Sequence, residues 1–207
     1  TGERFIGRAG LLRTLDSRIF GPAGFGSVAV VGLPRIGKTS LVSEAIRRAE
    51  PRAAELRSVV VRVDVGTFSS VDELFRALVD DLIDGVRSRG IGNELVDTRV
   101  ERALAAPRMG FNEVRGVFKA LRLAEVRPVC VLDEFDAGRR VFENTPQCFH
   151  WMRELCSNPE FKAAVVLIAK RRLQDVARLA GYQSDYWANV LMPLALRPFT
   201  EDDVNAF

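Results

Sequence analysis

Five short apolar runs, rich in β-branched residues, recur along the chain at residues 27–31, 59–65, 129–132, 164–169 and 191–196. Between them the apolar positions return at helical spacing. Residues 8–19 place Leu11, Leu12, Leu15 and Ile19 on one face, and Gly21-Pro22-Ala23-Gly24 stops that helix. A second helix is predicted over 38–49, ending before Pro51. Ser70-Val71-Asp72-Glu73 reads as a capping box that opens a helix with Leu74, Leu78, Leu82 and Ile83 inward. Asn112 is expected to cap another, which runs towards Glu125 with Val114, Val117, Phe118 and Leu121 on its apolar face. Strands alternating with helices predict an α/β fold. Near-obligatory right-handed crossovers then give a five-stranded parallel sheet with helices on both faces.

Two stretches fit this alternation less well. Residues 87–110 hold several glycines and a short helix near 94–104, and are expected to form an inserted lobe; residues 137–147 read as a polar connection. Residues 200–207 carry the signals of a new capped helix, expected to begin a truncated helical domain after a core over 1–199. On that reading the chain is a fragment of a larger protein.

The chemistry enters between the first run and the second helix, where the chain reads Gly32-Leu33-Pro34-Arg35-Ile36-Gly37-Lys38-Thr39-Ser40. This is G-x-x-x-x-G-K-T in a strand–loop–helix context, the Walker A or P-loop signature. Two glycines let the backbone curl so that amide groups point at a polyphosphate. Lys38 reaches the β- and γ-phosphates, and the Thr39 hydroxyl is suited to Mg²⁺. The helix that follows turns its positive end to the same anion. Arg35 has two readings, facing solvent or touching phosphate, of which solvent is preferred. The fold expected from this motif is a P-loop NTPase three-layer sandwich.

A second acidic motif ends the third run, Val129-Cys130-Val131-Leu132-Asp133-Glu134-Phe135-Asp136. A continuous apolar run suits a strand buried on both faces, and its carboxyl end is where open α/β sheets place ligands. Asp133 is then expected beside Thr39 as the Mg²⁺-holding Walker B aspartate, with Glu134 orienting or deprotonating an attacking water. Asp64, ending the second run, has two readings that stay open: an approach to the magnesium site, or a turn.

Composition narrows the field. The chain has 207 residues, 47% of them hydrophobic, and a formal charge of +3. Acidic residues interleave with arginine, so nucleic acid is a partner that charge does not favour. No apolar segment approaches bilayer-spanning length, and no membrane partner is expected. Three cysteines without metal-type spacing suggest reduced thiols and a cytoplasmic setting. His150 is the only histidine, which removes His-based catalysis and multi-His metal sites. Trp151 and Trp187 are read as packing residues.

In these motifs and their order, the chain resembles the STAND branch of AAA+-related P-loop ATPases (signal-transduction ATPases with numerous domains). Phe5-Ile6-Gly7-Arg8 resembles the hydrophobic-Gly-Arg element before the first strand of that family. Leu132-Asp133-Glu134-Phe135-Asp136 resembles its extended Walker B motif, and Arg197-Pro198-Phe199-Thr200 its step into a helical region. The resemblance implies ATP/ADP and Mg²⁺ as ligands. It places Gly7 and Arg8 near the adenine or ribose. Gly32, Pro34, Arg35, Ile36, Gly37, Lys38, Thr39 and Ser40 form the phosphate loop, with Thr39 and Asp133 as the metal pair. Catalysis falls to Glu134 and Lys38, with a basic sensor of the γ-phosphate. The family has a small polar residue and then arginine at the sensor position. Here the order is Ala169-Lys170-Arg171-Arg172, so the sensor is Lys170 or Arg171.

The function implied is a slowly hydrolysing nucleotide switch in a multidomain signalling protein that self-associates or engages partner domains. Two alternatives accompany it. One is an origin-recognition or helicase-loader type AAA+ ATPase acting on DNA. The other is a non-catalytic scaffold that holds ADP.

Overall fold

A computed structural model describes residues 8–21 and 26–199. Gly7, the rest of the element before Arg8, residues 22–24 of the expected stop, and the expected helix start at 200–207 lie outside the described residues. Each apolar run forms a strand: β1 Ser27–Gly32, β2 Ser58–Asp64, β3 Arg127–Asp133, β4 Ala164–Ala169 and β5 Leu191–Leu196. They pair in parallel throughout, in the order β2-β3-β4-β1-β5. The helices are α1 Ala9–Phe20, α2 Lys38–Glu55, α3 Val71–Ser88, α4 Glu94–Leu104, α5 Phe111–Leu123, α6 Arg139–Phe142, α7 Cys148–Ser157 and α8 Leu173–Leu179. The expected α/β architecture with a five-stranded parallel sheet is therefore the fold.

Alternation along the strands divides the core in two. Val28, Val30, Val129, Val131, Val166 and Ile168 face α1 and α2, meeting Leu12, Leu15, Leu41 and Val42. Their neighbours Ala29, Val61, Val63, Cys130, Leu132, Val165 and Leu167 face the other way, towards α3, α5 and α7. Burying each larger aliphatic side chain in these layers contributes about 1.5–3 kcal/mol. Polar ends are closed as well. Arg127, at the start of β3, donates to the Ile19 carbonyl at 2.8 Å, satisfying a group that the end of α1 leaves without a helical partner. Arg52 forms a two-pronged pair with Asp16, both contacts at 2.8 Å, and ties α2 to α1.

Four local expectations are corrected. The helix predicted to stop before Pro51 runs through it to Glu55. Proline removes one N–H, but Ala49 and Ala53 are buried on either side, so packing carries the helix past the lost bond. Asn112 is not the cap of α5. The cap is Gly110, two residues earlier, and Glu113 reaches back to accept the Gly110 N–H at 3.0 Å. At α3, Ser70 accepts the Glu73 N–H at 3.2 Å as a capping box requires, yet the Glu73 carboxylate closes on Ser69 instead. The connection after β3 is more than polar: residues 135–138 form a short 3₁₀ turn, α6 follows, and Val141 and Phe142 are buried. Within residues 87–110, Val96, Val100, Ala103 and Met109 belong to the same core as α3 and α5. Arg76 of α3 holds this stretch by donating to the Leu104 and Ala106 carbonyls at 2.8 and 2.6 Å.

Candidate active site

The carboxyl ends of β1, β4 and β3 lie side by side, because β4 is inserted between the strand of the P-loop and the strand of the acids. Everything in the site follows from that order. From β1 the chain turns at Gly32, where an added Cβ would sit 2.8 Å from the Leu196 carbonyl oxygen of β5, so only glycine fits. It reverses again at Gly37, whose φ of +88° is left-handed, and α2 starts at once with Lys38. Leu33, Pro34, Arg35 and Ser40 are exposed; Ile36 is half-buried against the α1–α2 core.

Lys38 is buried within the curl of its own loop. Its ammonium donates to the Gly32 and Leu33 carbonyls at 2.9 and 2.8 Å. Burial lowers its pKa from the ordinary value, while Glu134 and then Asp136 oppose that shift through their negative charge. The loop thus presents a cation and the amino end of α2 to one space, which suits a polyphosphate.

Asp133, the last residue of β3, shares strand parity with Val129 and Val131 and so points to the α2 side. There its Oδ2 accepts the Thr39 hydroxyl at 2.9 Å, and its Oδ1 accepts the Glu134 N–H at 2.8 Å. A hydroxyl and a carboxylate in contact are hard oxygen donors of the kind Mg²⁺ selects, so the residues present fit that ion. A further partner was not anticipated from the sequence. Arg62 of β2 donates to the same Oδ2 at 2.5 Å and to the Ser43 hydroxyl of α2 at 3.3 Å. Its strand parity could have revealed it: Arg62 pairs with Val131 in the ladder, which puts it on the Asp133 face two positions before the strand end.

Glu134 leaves the strand in a left-handed conformation, φ +48°, which turns its side chain towards β4. Its Oε2 meets the Lys170 ammonium at 2.5 Å. This bond raises the Lys170 pKa. Asp136 accepts the Lys170 backbone N–H at 2.7 Å and fixes the end of β4. Of the two sensor candidates, the fold brings Lys170 to the acids. Arg171 is exposed and joins none of these contacts.

Two expected positions remain. Arg8 is buried against the P-loop: a Cβ at Gly37 would lie 3.1 Å from its Nη1, and its guanidinium stacks 4.5 Å from the Phe199 ring centroid. Asp64 takes the turn role, accepting the Gly66 N–H at 2.9 Å. Trp187 is buried and Trp151 stacks on Phe111 at 5.8 Å, both as packing residues. No helix among the described residues is long and apolar enough to cross a membrane.

Comparison with known proteins agrees with this geometry. The family model described as an AAA domain matches residues 23–177. No curated protein matches the chain in sequence. Solved structures share the fold at low identity. The ORC1 protein of Aeropyrum pernix in complex with DNA superposes with a TM-score of 0.59 at 18% identity, over 97% of this chain and 48% of that one. A Walker-type ATPase of Pyrococcus abyssi gives 0.62 at 14%, over 98% and 56%. Cdc6p from Pyrobaculum aerophilum gives 0.56 at 17%, over 98% and 48%. The chain spans about half the length of these structures.

Proposed function

The chain belongs to the AAA domain family, and from that premise we propose that it binds ATP with Mg²⁺ and hydrolyses it slowly, as the nucleotide switch of a larger protein. The observation that carries this reading is the run of contacts from Thr39 through Asp133 and Glu134 to Lys170, beside a Lys38 held in the P-loop, at three adjacent strand ends. On binding, phosphate oxygens replace the Gly32 and Leu33 carbonyls as acceptors for Lys38. Thr39 and Asp133 would hold the metal, which when bound neutralises phosphate charge. Glu134 orients the attacking water and takes its proton. The ion pair with Lys170 holds the Glu134 carboxylate at the end of β3, where it can meet that water. Arg8 lies where it can link the nucleotide to the segment at Phe199, and a switch needs such a link, since only a difference in contacts with ATP and ADP can shift a conformational equilibrium. The resemblance to STAND proteins supports signalling as the setting.

The experiment is calorimetry with ATP and ADP, paired with single-turnover phosphate release. Lys38→Ala should abolish binding. Glu134→Gln should bind normally and lose hydrolysis by about a hundredfold or more. Intact affinity in the first variant, or full turnover in the second, would end the assignment. A second reading, a loader-type ATPase acting on DNA, draws support from the fold shared with ORC1 and Cdc6p. It predicts duplex affinity that falls steeply with salt.

A further inference from the structure

The Asp133 carboxylate already serves a cation supplied by the protein itself. Its Oδ2 accepts from both the Thr39 hydroxyl and the Arg62 guanidinium, at 2.9 and 2.5 Å, so the guanidinium sits on one of the two oxygens suited to the metal. A divalent ion on this oxygen would stand next to a guanidinium, and the two positive charges repel. We propose that Arg62 is a built-in competitor for the divalent metal: it holds Asp133 when metal is scarce and yields it when metal and nucleotide arrive. The proposal rests on the nucleotide reading above and concerns what sets its metal requirement.

The surroundings suit an exchange. Asp133 is nearly buried, with 8% of its side chain exposed, whereas Arg62 is 43% exposed. Its second contact, to Ser43, is long at 3.3 Å, and β2 is an edge strand. Beside it a groove of about 430 Å³ opens between α2 and β2, lined by Ser43, Arg47 and Val60 among others. Arg62 can therefore swing into water without disturbing the ladder. Arg62 regains full hydration on release, and the arriving ion replaces its charge beside the buried Asp133. Asp133 meanwhile keeps the Glu134 N–H and Thr39 hydroxyl as partners and stays in place.

The test titrates Mg²⁺ against the affinity of a fluorescent ADP analogue for the full chain, starting in chelator, and needs no turnover. Arg62→Gln should lower the Mg²⁺ concentration at half-maximal tightening by about tenfold, because a repelling charge is gone. Arg62→Lys, which keeps the charge, should stay within about threefold of the parent chain. An equal or higher metal requirement in Arg62→Gln would overturn the proposal, the latter by making Arg62 a support for Asp133. A tenfold drop shared by Arg62→Lys would overturn it too, since charge would not be the cause. Failure of the parent chain to bind the analogue at any Mg²⁺ level would overturn the nucleotide reading itself, a result distinct from the others.

Discussion

Lys170, at the carboxyl end of β4, holds the carboxylate of Glu134, at the carboxyl end of β3, in a 2.5 Å ion pair. The strand order allows this contact: β4 lies next to β3, so the residue after its last position can reach the residue after Asp133. Asp136 secures the Lys170 backbone from below. The candidate base and the candidate sensor are thus coupled before any ligand arrives.

That coupling predicts a variant with separated effects. Lys170→Ala should keep ATP affinity within about threefold yet lower turnover by about ten- to a hundredfold, since a positioned charge near the γ-phosphate is lost. Both partners are about two-fifths exposed, so folding stability should change by no more than about 0.5 kcal/mol. Arg171→Ala should leave both quantities unchanged. Phosphate release and calorimetry on the two variants decide the matter, and equal losses in both would remove Lys170 from the role.

Acid should weaken α2 in a defined window. The Arg47 and Arg48 guanidiniums hydrogen-bond Glu44 and hold its carboxyl at about 2, below the ordinary 4.5. A folded-state pKa below the unfolded one means stability present above 4.5 and lost as pH falls from 4.5 to 2. Discounted for its place on the helix surface, the contribution is about 1 kcal/mol. Glu44→Gln should therefore be less stable than the parent at neutral pH, with the gap closing near pH 2. Urea midpoints across that range measure it.

The parts of this molecule that sequence revealed are those set by local rules. Five apolar runs gave five strands: β3 and β4 are buried throughout and show as unbroken apolar runs, and in β2 and β5 the apolar positions still outnumber the polar ones. The strand–loop–helix placement of Gly32, Gly37, Lys38 and Thr39 was legible because the motif fixes glycines where the chain must turn sharply. What escaped depends on distant packing. Pro51 reads as a helix stop until Ala49 and Ala53 are seen buried around it. Arg62 belongs to no motif and gains a role only when the ladder register sets it on the face of Asp133. Lys170 and Arg171 could not be separated by pattern, since the direction of each side chain follows from the end of β4.

The thiols should be inert in the native state. Burial pushes the Cys156 thiol up to about 12 and raises Cys130 and Cys148 as well. The thiolate is the reactive form, so at about pH 8 an aromatic disulfide reagent should find no reactive thiol in the folded chain. All three cysteines are free and should react after denaturation. Rapid labelling of the native protein would contradict the burial described for β3 and α7.

The segment after the acids should prove structural as well as catalytic in consequence. Phe149 of α7 packs against Phe142 at 5.2 Å, Trp187 at 4.9 Å and Phe135 at 6.4 Å, and all four rings are essentially buried. Phe135 directly follows Glu134, so this cluster anchors the turn that aims the carboxylate. Phe149→Ala removes the central ring and should cost about 3–5 kcal/mol, seen as a lower urea midpoint. Phe149→Leu fills more of the space and should recover about half of that loss. The P-loop rests on the other core, against α1 and α2, and so under conditions where Phe149→Leu is folded its nucleotide affinity should match the parent while turnover falls. A drop in affinity equal to the drop in turnover would mean that the two cores are not mechanically separate, and that the aromatic cluster supports the whole site and not the acid alone.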